Sequence, residues 1–152
     1  MQGMKRIRAI AVLIAAPLAA LLGGCNNDQA SGIVTADSAQ SFDGISATET
    51  LRFIGNEPFW GGEAAGGTLI YSTPENPDGS EITVKRFSGL GGLGLSGTLD
   101  GASFDMAVTP GECSDTMSDR TYPFTVTLVI GEDTRTGCGW TDAQPFSGPE
   151  SP

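Results

Sequence analysis

Leu93-Gly94-Leu95-Ser96-Gly97-Thr98-Leu99, then Asp100-Gly101, then Ala102-Ser103-Phe104-Asp105-Met106-Ala107-Val108, is the stretch whose reading decides the fold. Its first limb repeats leucine at alternate positions. Its second limb sets Phe104, Met106 and Val108 on one face. A period of two belongs to a strand with one buried face, because successive side chains point to opposite sides of the backbone. Asp-Gly between two such limbs signals a hairpin, since both residue types tolerate the positive φ that a two-residue turn demands.

The same signals extend outward from this hairpin. Leu51-Arg52-Phe53-Ile54 is a short apolar run ending at Gly55-Asn56, a turn pair. Thr68-Leu69-Ile70-Tyr71 is rich in β-formers. Residues 81–87 alternate in part, with Ile82, Val84 and Phe87 expected to turn inward. Residues 122–130 and 135–140 flank Gly131-Glu132-Asp133 as a further hairpin. Pro74-Glu75-Asn76-Pro77-Asp78-Gly79 cannot form a central strand, because two backbone donors are missing. No segment of residues 49–140 carries a sustained helical period. The expected fold is all-β: a small antiparallel barrel, or a sandwich, of seven to eight short strands. Gly89-Leu90-Gly91-Gly92 reads as a bend between strands. It lacks the lysine and following helix of a phosphate loop.

The flanks differ in character. Lys5, Arg6 and Arg8 precede an apolar run from Ile10 to Leu22, and small residues Gly23-Gly24 lead to Cys25. That order is the layout of a secretory signal. The cysteine after small residues resembles the lipobox of bacterial lipoproteins. The resemblance implies cleavage after residue 24 and a lipid on Cys25, which becomes the first residue of the mature chain. An uncleaved membrane anchor is the alternative, although the apolar run is shorter than the roughly 20 residues of a spanning helix. Residues 25–48 read as a flexible tether, residues 49–140 as the folded domain, and residues 141–152, with Pro145, Pro149 and Pro152, as a disordered tail. As a random coil such a tether reaches about 25–30 Å.

Charge narrows the partners. The whole chain has a formal charge of −10, from eight basic and eighteen acidic residues. Three of the basic residues and none of the acidic ones lie in residues 1–24, so the remaining 128 residues carry −13. Nucleic acid is excluded as a partner, because its affinity rests on Lys and Arg. A basic envelope protein suits this charge, and solubility is the simpler use of it. Export places the two remaining cysteines, Cys113 and Cys138, in an oxidising compartment, where a pair reads as a disulfide. Two separate buried thiols are the alternative.

The chain contains no histidine, which removes a Ser-His-Asp triad, a Cys-His pair and a histidine-based zinc site. No cofactor motif stands out, and the expectation is a protein that is not an enzyme. Two segments are candidates for binding. Gly55-Asn56-Glu57-Pro58-Phe59-Trp60 offers Glu57, Phe59 and Trp60, whose aromatics either line a ligand mouth or plug one end of a barrel. Residues 110–123 read as a long loop that offers Asp115, Met117, Asp119 and Arg120. Glu112, Asp115 and Asp119 fit a weak calcium site only loosely, since calcium wants six to eight oxygens. The simpler reading is that Asp and Ser cap the loop's own amides.

These segments also carry a resemblance. The Gly55–Trp60 motif, Leu69-Ile70-Tyr71-Ser72-Thr73-Pro74-Glu75-Asn76-Pro77, Cys113-Ser114-Asp115-Thr116-Met117-Ser118-Asp119-Arg120-Thr121-Tyr122-Pro123-Phe124 and Gly137-Cys138 resemble a family of uncharacterised small bacterial envelope proteins, many of them predicted lipoproteins. Thr116 stands where that pattern has glycine, which weakens a requirement for positive φ there. The resemblance implies fold and location and carries no activity. In architecture and acidity the chain is also similar to the membrane-bound inhibitors of C-type lysozyme, without a matched motif. The leading expectation is a non-enzymatic binding or structural module. An inhibitor of a basic wall hydrolase such as C-type lysozyme, and a small-ligand-binding barrel, are the alternatives. Asn26 in place of aspartate after Cys25 favours the outer membrane, facing the periplasm, by resemblance to Gram-negative lipoproteins.

Overall fold

The computed structural model describes residues 41–149. The signal segment, Cys25 and most of the expected tether lie outside the described residues. Nine strands follow in order: β1 (Leu51–Asn56), β2 (Phe59–Ala65), β3 (Thr68–Thr73), β4 (Asn76–Thr83), β5 (Lys85–Ser88), β6 (Leu93–Leu99), β7 (Ala102–Ser114), β8 (Thr121–Ile130) and β9 (Asp133–Trp140). They form one antiparallel sheet in the order β4-β3-β2-β1-β9-β8-β7-β6-β5. Only Val84 separates β4 from β5. One bent strand therefore supplies both ends of the sheet, pairing with β3 through its first half and β6 through its second. The sheet curls into a nearly closed barrel.

The deciding hairpin has the expected register. Leu93 faces Val108, Leu95 faces Met106 and Leu99 faces Ala102. Asp100 and Gly101 take φ of 50° and 85°, the double left-handed turn that matches strand twist. Leu93, Leu95, Phe104, Met106 and Val108 point into the barrel and are buried, and Leu99 is partly buried against them.

Two sequence expectations about the strands need correction, and a third is met. The strand number is nine rather than seven or eight, because Phe59–Ala65 pairs with β1 and β3 despite Gly61-Gly62 and few β-formers. Asn76–Thr83 is a strand in spite of Pro77, but as expected not a central one. It sits at the end of the sheet order, where a missing amide donor costs little. Phe87 is 71% exposed rather than inward, since the alternation through Ile82 and Val84 continues to Arg86 and puts Phe87 outside.

The interior is filled by its own side chains. Phe53, Trp60, Tyr71 and Phe104 form an aromatic column with successive centroids 5.8, 6.3 and 5.7 Å apart. Trp60 is 4% exposed and plugs the barrel, whereas Phe59 is 53% exposed.

The folded unit exceeds residues 49–140 at both ends. Ile45, expected in the tether, is buried in the core, and Phe42 packs against it. The Phe42 amide donates to the Gly89 carbonyl at 2.7 Å, and Arg86 donates to the Ile45 carbonyl. On the other flank Thr141 is buried and Gln144 donates to the Gly44 carbonyl. Ser147 bridges Thr121, and Phe146 packs on Tyr122 and Trp140 at 5.5 and 5.8 Å. Apolar anchors in both flanks thus hold residues that their polar composition assigned to tether and tail.

Candidate functional site

The long loop expected over residues 110–123 is mostly strand. β7 runs to Ser114 and β8 begins at Thr121, so the loop proper is residues 115–120. Pro110 faces Phe124, but Cys113 faces Tyr122, which leaves one extra residue in β7. Such a bulge bends its strand. The hairpin consequently folds back over the outer wall of the barrel.

A covalent bond and a hydrogen bond tie it to the wall beside the cleft. Cys113 and Cys138 form a disulfide, with Cα atoms 5.6 Å apart. Gly139, next to Cys138, pairs with core residue Phe53, so Cys138 faces outward. It is nevertheless buried, covered by the hairpin. Asn56 at the end of β1 donates its side-chain amide to the Asp115 carbonyl.

Within the loop, Asp115 serves its own backbone. One carboxylate oxygen accepts from the Met117 and Ser118 amides at 3.0 and 2.8 Å. The other accepts from the Ser118 and Tyr122 hydroxyls at 2.6 and 3.1 Å. Burial opposes its ionisation, but the bonds from Ser118, Met117 and Tyr122 outweigh burial and hold its pKa down at about 2. Burial is also the main cause that raises the Tyr122 phenol. Among the described residues no three His, Cys, Asp or Glu side chains are grouped to hold a metal ion, and Glu112, Asp115 and Asp119 form no such cluster. Thr116 takes φ of 62°. The positive φ that threonine at this position argued against is therefore present, carried by a β-branched residue.

Between the folded-over hairpin and the barrel wall lies a cleft of about 380 Å³. β1 contributes Ile54, Asn56 and the adjoining Glu57. The hairpin contributes Ser114, Asp115 and Thr116, and β9 contributes Thr134, Arg135 and Thr136. Its floor is Gly55, Gly137 and the disulfide. A methyl group on Gly55 would lie 2.1 Å from the Trp60 indole nitrogen, and one on Gly137 would lie 2.9 Å from the same ring. Only bare backbone therefore separates the Trp60 ring from the cleft. The buried Trp60 Nε1 has no hydrogen-bond partner among the described residues.

Arg135 is held from both sides. It donates to the Tyr71 hydroxyl at 2.6 Å and to Asp133 at 2.8 Å. Burial is the leading cause that raises the Tyr71 phenol, so this hydroxyl stays protonated at neutral pH. Asn56 and Arg135 also border a second depression of about 410 Å³, together with Phe59 and Glu75.

The sequence candidates are thus divided. Glu57 and Asp115 meet at the cleft. Trp60 lies behind its floor, and Phe59 lines the second depression. Met117, Asp119 and Arg120 do not line the cleft. Arg120 is occupied by the C-terminal segment: its guanidinium stacks 4.6 Å over Phe146 and donates to the Pro149 carbonyl. The sequence reading missed Asn56, Thr134, Arg135 and Thr136. Asn56 looked like a turn residue, Arg135 and Thr136 looked like ordinary strand, and Thr134 fell between turn and strand.

No protein-family model, no curated protein and no solved structure matches this chain.

Proposed function

We propose that the protein is a bacterial envelope lipoprotein, acylated at Cys25, whose β domain is a non-enzymatic binding module. By the Asn26 rule it faces the periplasm from the outer membrane. Its partner sits in the cleft between the bent hairpin and the outer wall. The observation that carries this reading is the cleft itself, pinned by the disulfide and lined by hydroxyl, amide and carboxylate side chains.

Binding is favoured over turnover by how those groups are used. General acid–base work needs a positioned pair with suitable pKa values. Asp115 is ionised and its oxygens are occupied by its own loop, so Glu57 has no carboxylate partner available there. The filled interior favours the outer wall over a ligand held inside the barrel.

The test uses residues 25–152 carrying Cys25→Ser, which lack both the apolar leader and the lipid on this reading. Envelope fractions that contain the partner should change Trp60 emission. A Thr136→Phe variant, which fills the cleft, should lose that response. Turnover of peptidoglycan or lipid that disappears on Glu57→Gln would overturn the non-enzymatic reading.

The acidity supports a second reading, an inhibitor of a basic wall hydrolase such as C-type lysozyme. Its charge would mainly accelerate encounter, so inhibition should weaken with salt. Absence of inhibition at low ionic strength with excess protein ends that reading.

A further inference from the structure

Two large apolar side chains stand in solvent at one end of the barrel. Phe87 is 71% exposed at the end of β5, and Leu90 is 67% exposed in the β5–β6 turn. A methyl group on Gly89 would lie 3.3 Å from the Phe87 ring, so the ring leans over the turn. Lys85 is exposed on the same face of β5, two positions before Phe87. Adjoining exposed apolar groups on a folded domain mark a contact surface.

The path of the chain indicates what that surface meets. The Phe42 amide donates to the Gly89 carbonyl, between Phe87 and Leu90. The segment leading back to Cys25 therefore joins the barrel at this turn. A lipid on Cys25 would pull on the barrel at Phe42 and draw this end toward the bilayer. The opposite end carries the β8–β9 turn, which lies beside the β6–β7 turn through the Gly131 amide bond to the Ser103 carbonyl.

We infer that the β5–β6 turn is a membrane-contact tip. Phe87 and Leu90 enter the bilayer interface, and the Lys85 ammonium lies at the level of the lipid phosphates. This inference rests on the lipoprotein reading. It adds an orientation: the barrel stands on its β5–β6 end.

The test labels the full lipoprotein in vesicles of phosphatidylethanolamine and phosphatidylglycerol. With Cys25 acylated and Cys113 bonded to Cys138, Leu90→Cys supplies the one thiol open to a fluorophore. Glu132→Cys, in the exposed β8–β9 turn, is the control. Lipid nitroxides should quench the label at position 90 and leave position 132 unchanged, while aqueous iodide does the reverse. Acylated, vesicle-bound protein whose position 90 is quenched by iodide as fully as position 132 overturns the tip and leaves the anchor standing. Shielding of position 90 from both quenchers also overturns it, since a protein surface would then cover the turn. Absence of acyl mass on Cys25 in the purified protein overturns the anchor, and the tip with it.

Discussion

The indole nitrogen of Trp60 rests against the bare backbone of Gly55, where a single methyl group would approach it to 2.1 Å. This contact joins the packed interior to the floor of the cleft. Gly55→Ala should destabilise the domain by about 1–3 kcal/mol, the usual cost of overpacking a filled core. Gly91→Ala, where an added methyl group meets nothing within 4 Å, should be near neutral. Urea denaturation of the two variants beside the parent checks the contrast.

Asp115 makes stability depend on acid. Its folded pKa of about 2 lies below the ordinary 3.8, so it stabilises the fold above the unfolded value. That contribution is lost as pH falls from near 4 through about 2. Allowing for partial exposure, about 1–2 kcal/mol should disappear over this window. Asp115→Asn should flatten the pH dependence there. An unaltered acid limb in that variant would place the protonation elsewhere.

Thr116 holds a φ of 62° that a β-branched side chain adopts reluctantly. Thr116→Gly relieves the crowding but adds freedom to the unfolded chain. The net expectation is a gain of up to about 1 kcal/mol. Thermal melts would register it as a higher midpoint; a lower midpoint would mean that the threonine side chain contributes contacts of its own.

The Cys113–Cys138 bridge closes a loop across 25 positions. Replacing both cysteines by serine should cost about 3–4 kcal/mol in the chain-entropy model. The folded variant should also lose the cleft's response to its partner, because the hairpin loses its covalent tie to β9 at the cleft floor. A destabilised variant that keeps full binding would separate the hairpin from the site.

How much of this was legible in the sequence varied with the range of the interaction. Asp100-Gly101 announced its hairpin because turn chemistry is local. Cys113 and Cys138 were expected to pair as a disulfide, and the structure contains it. Phe59–Ala65 stayed hidden because its place in the sheet comes from its neighbours rather than from β-propensity. The cleft was illegible for a similar reason. It depends on a one-residue bulge before Cys113 and on an Asn56–Asp115 contact 59 positions apart. The flanks misled because Ile45 and Phe146 are isolated apolar residues in polar company, and their partners lie far along the chain.

Every strand pairing in the barrel except one joins neighbours in the chain. The exception is β1 with β9, the first strand with the last. If strands form in chain order, the meander builds strand by strand while β1 keeps one edge open. The ring is completed only when β9 arrives, and Cys138 arrives on the same strand. Closing the wall and sealing the hairpin over it are thus parts of one late event. Until then the exposed edge of β1 is the segment most open to a foreign strand, and shielding it matters most in that interval.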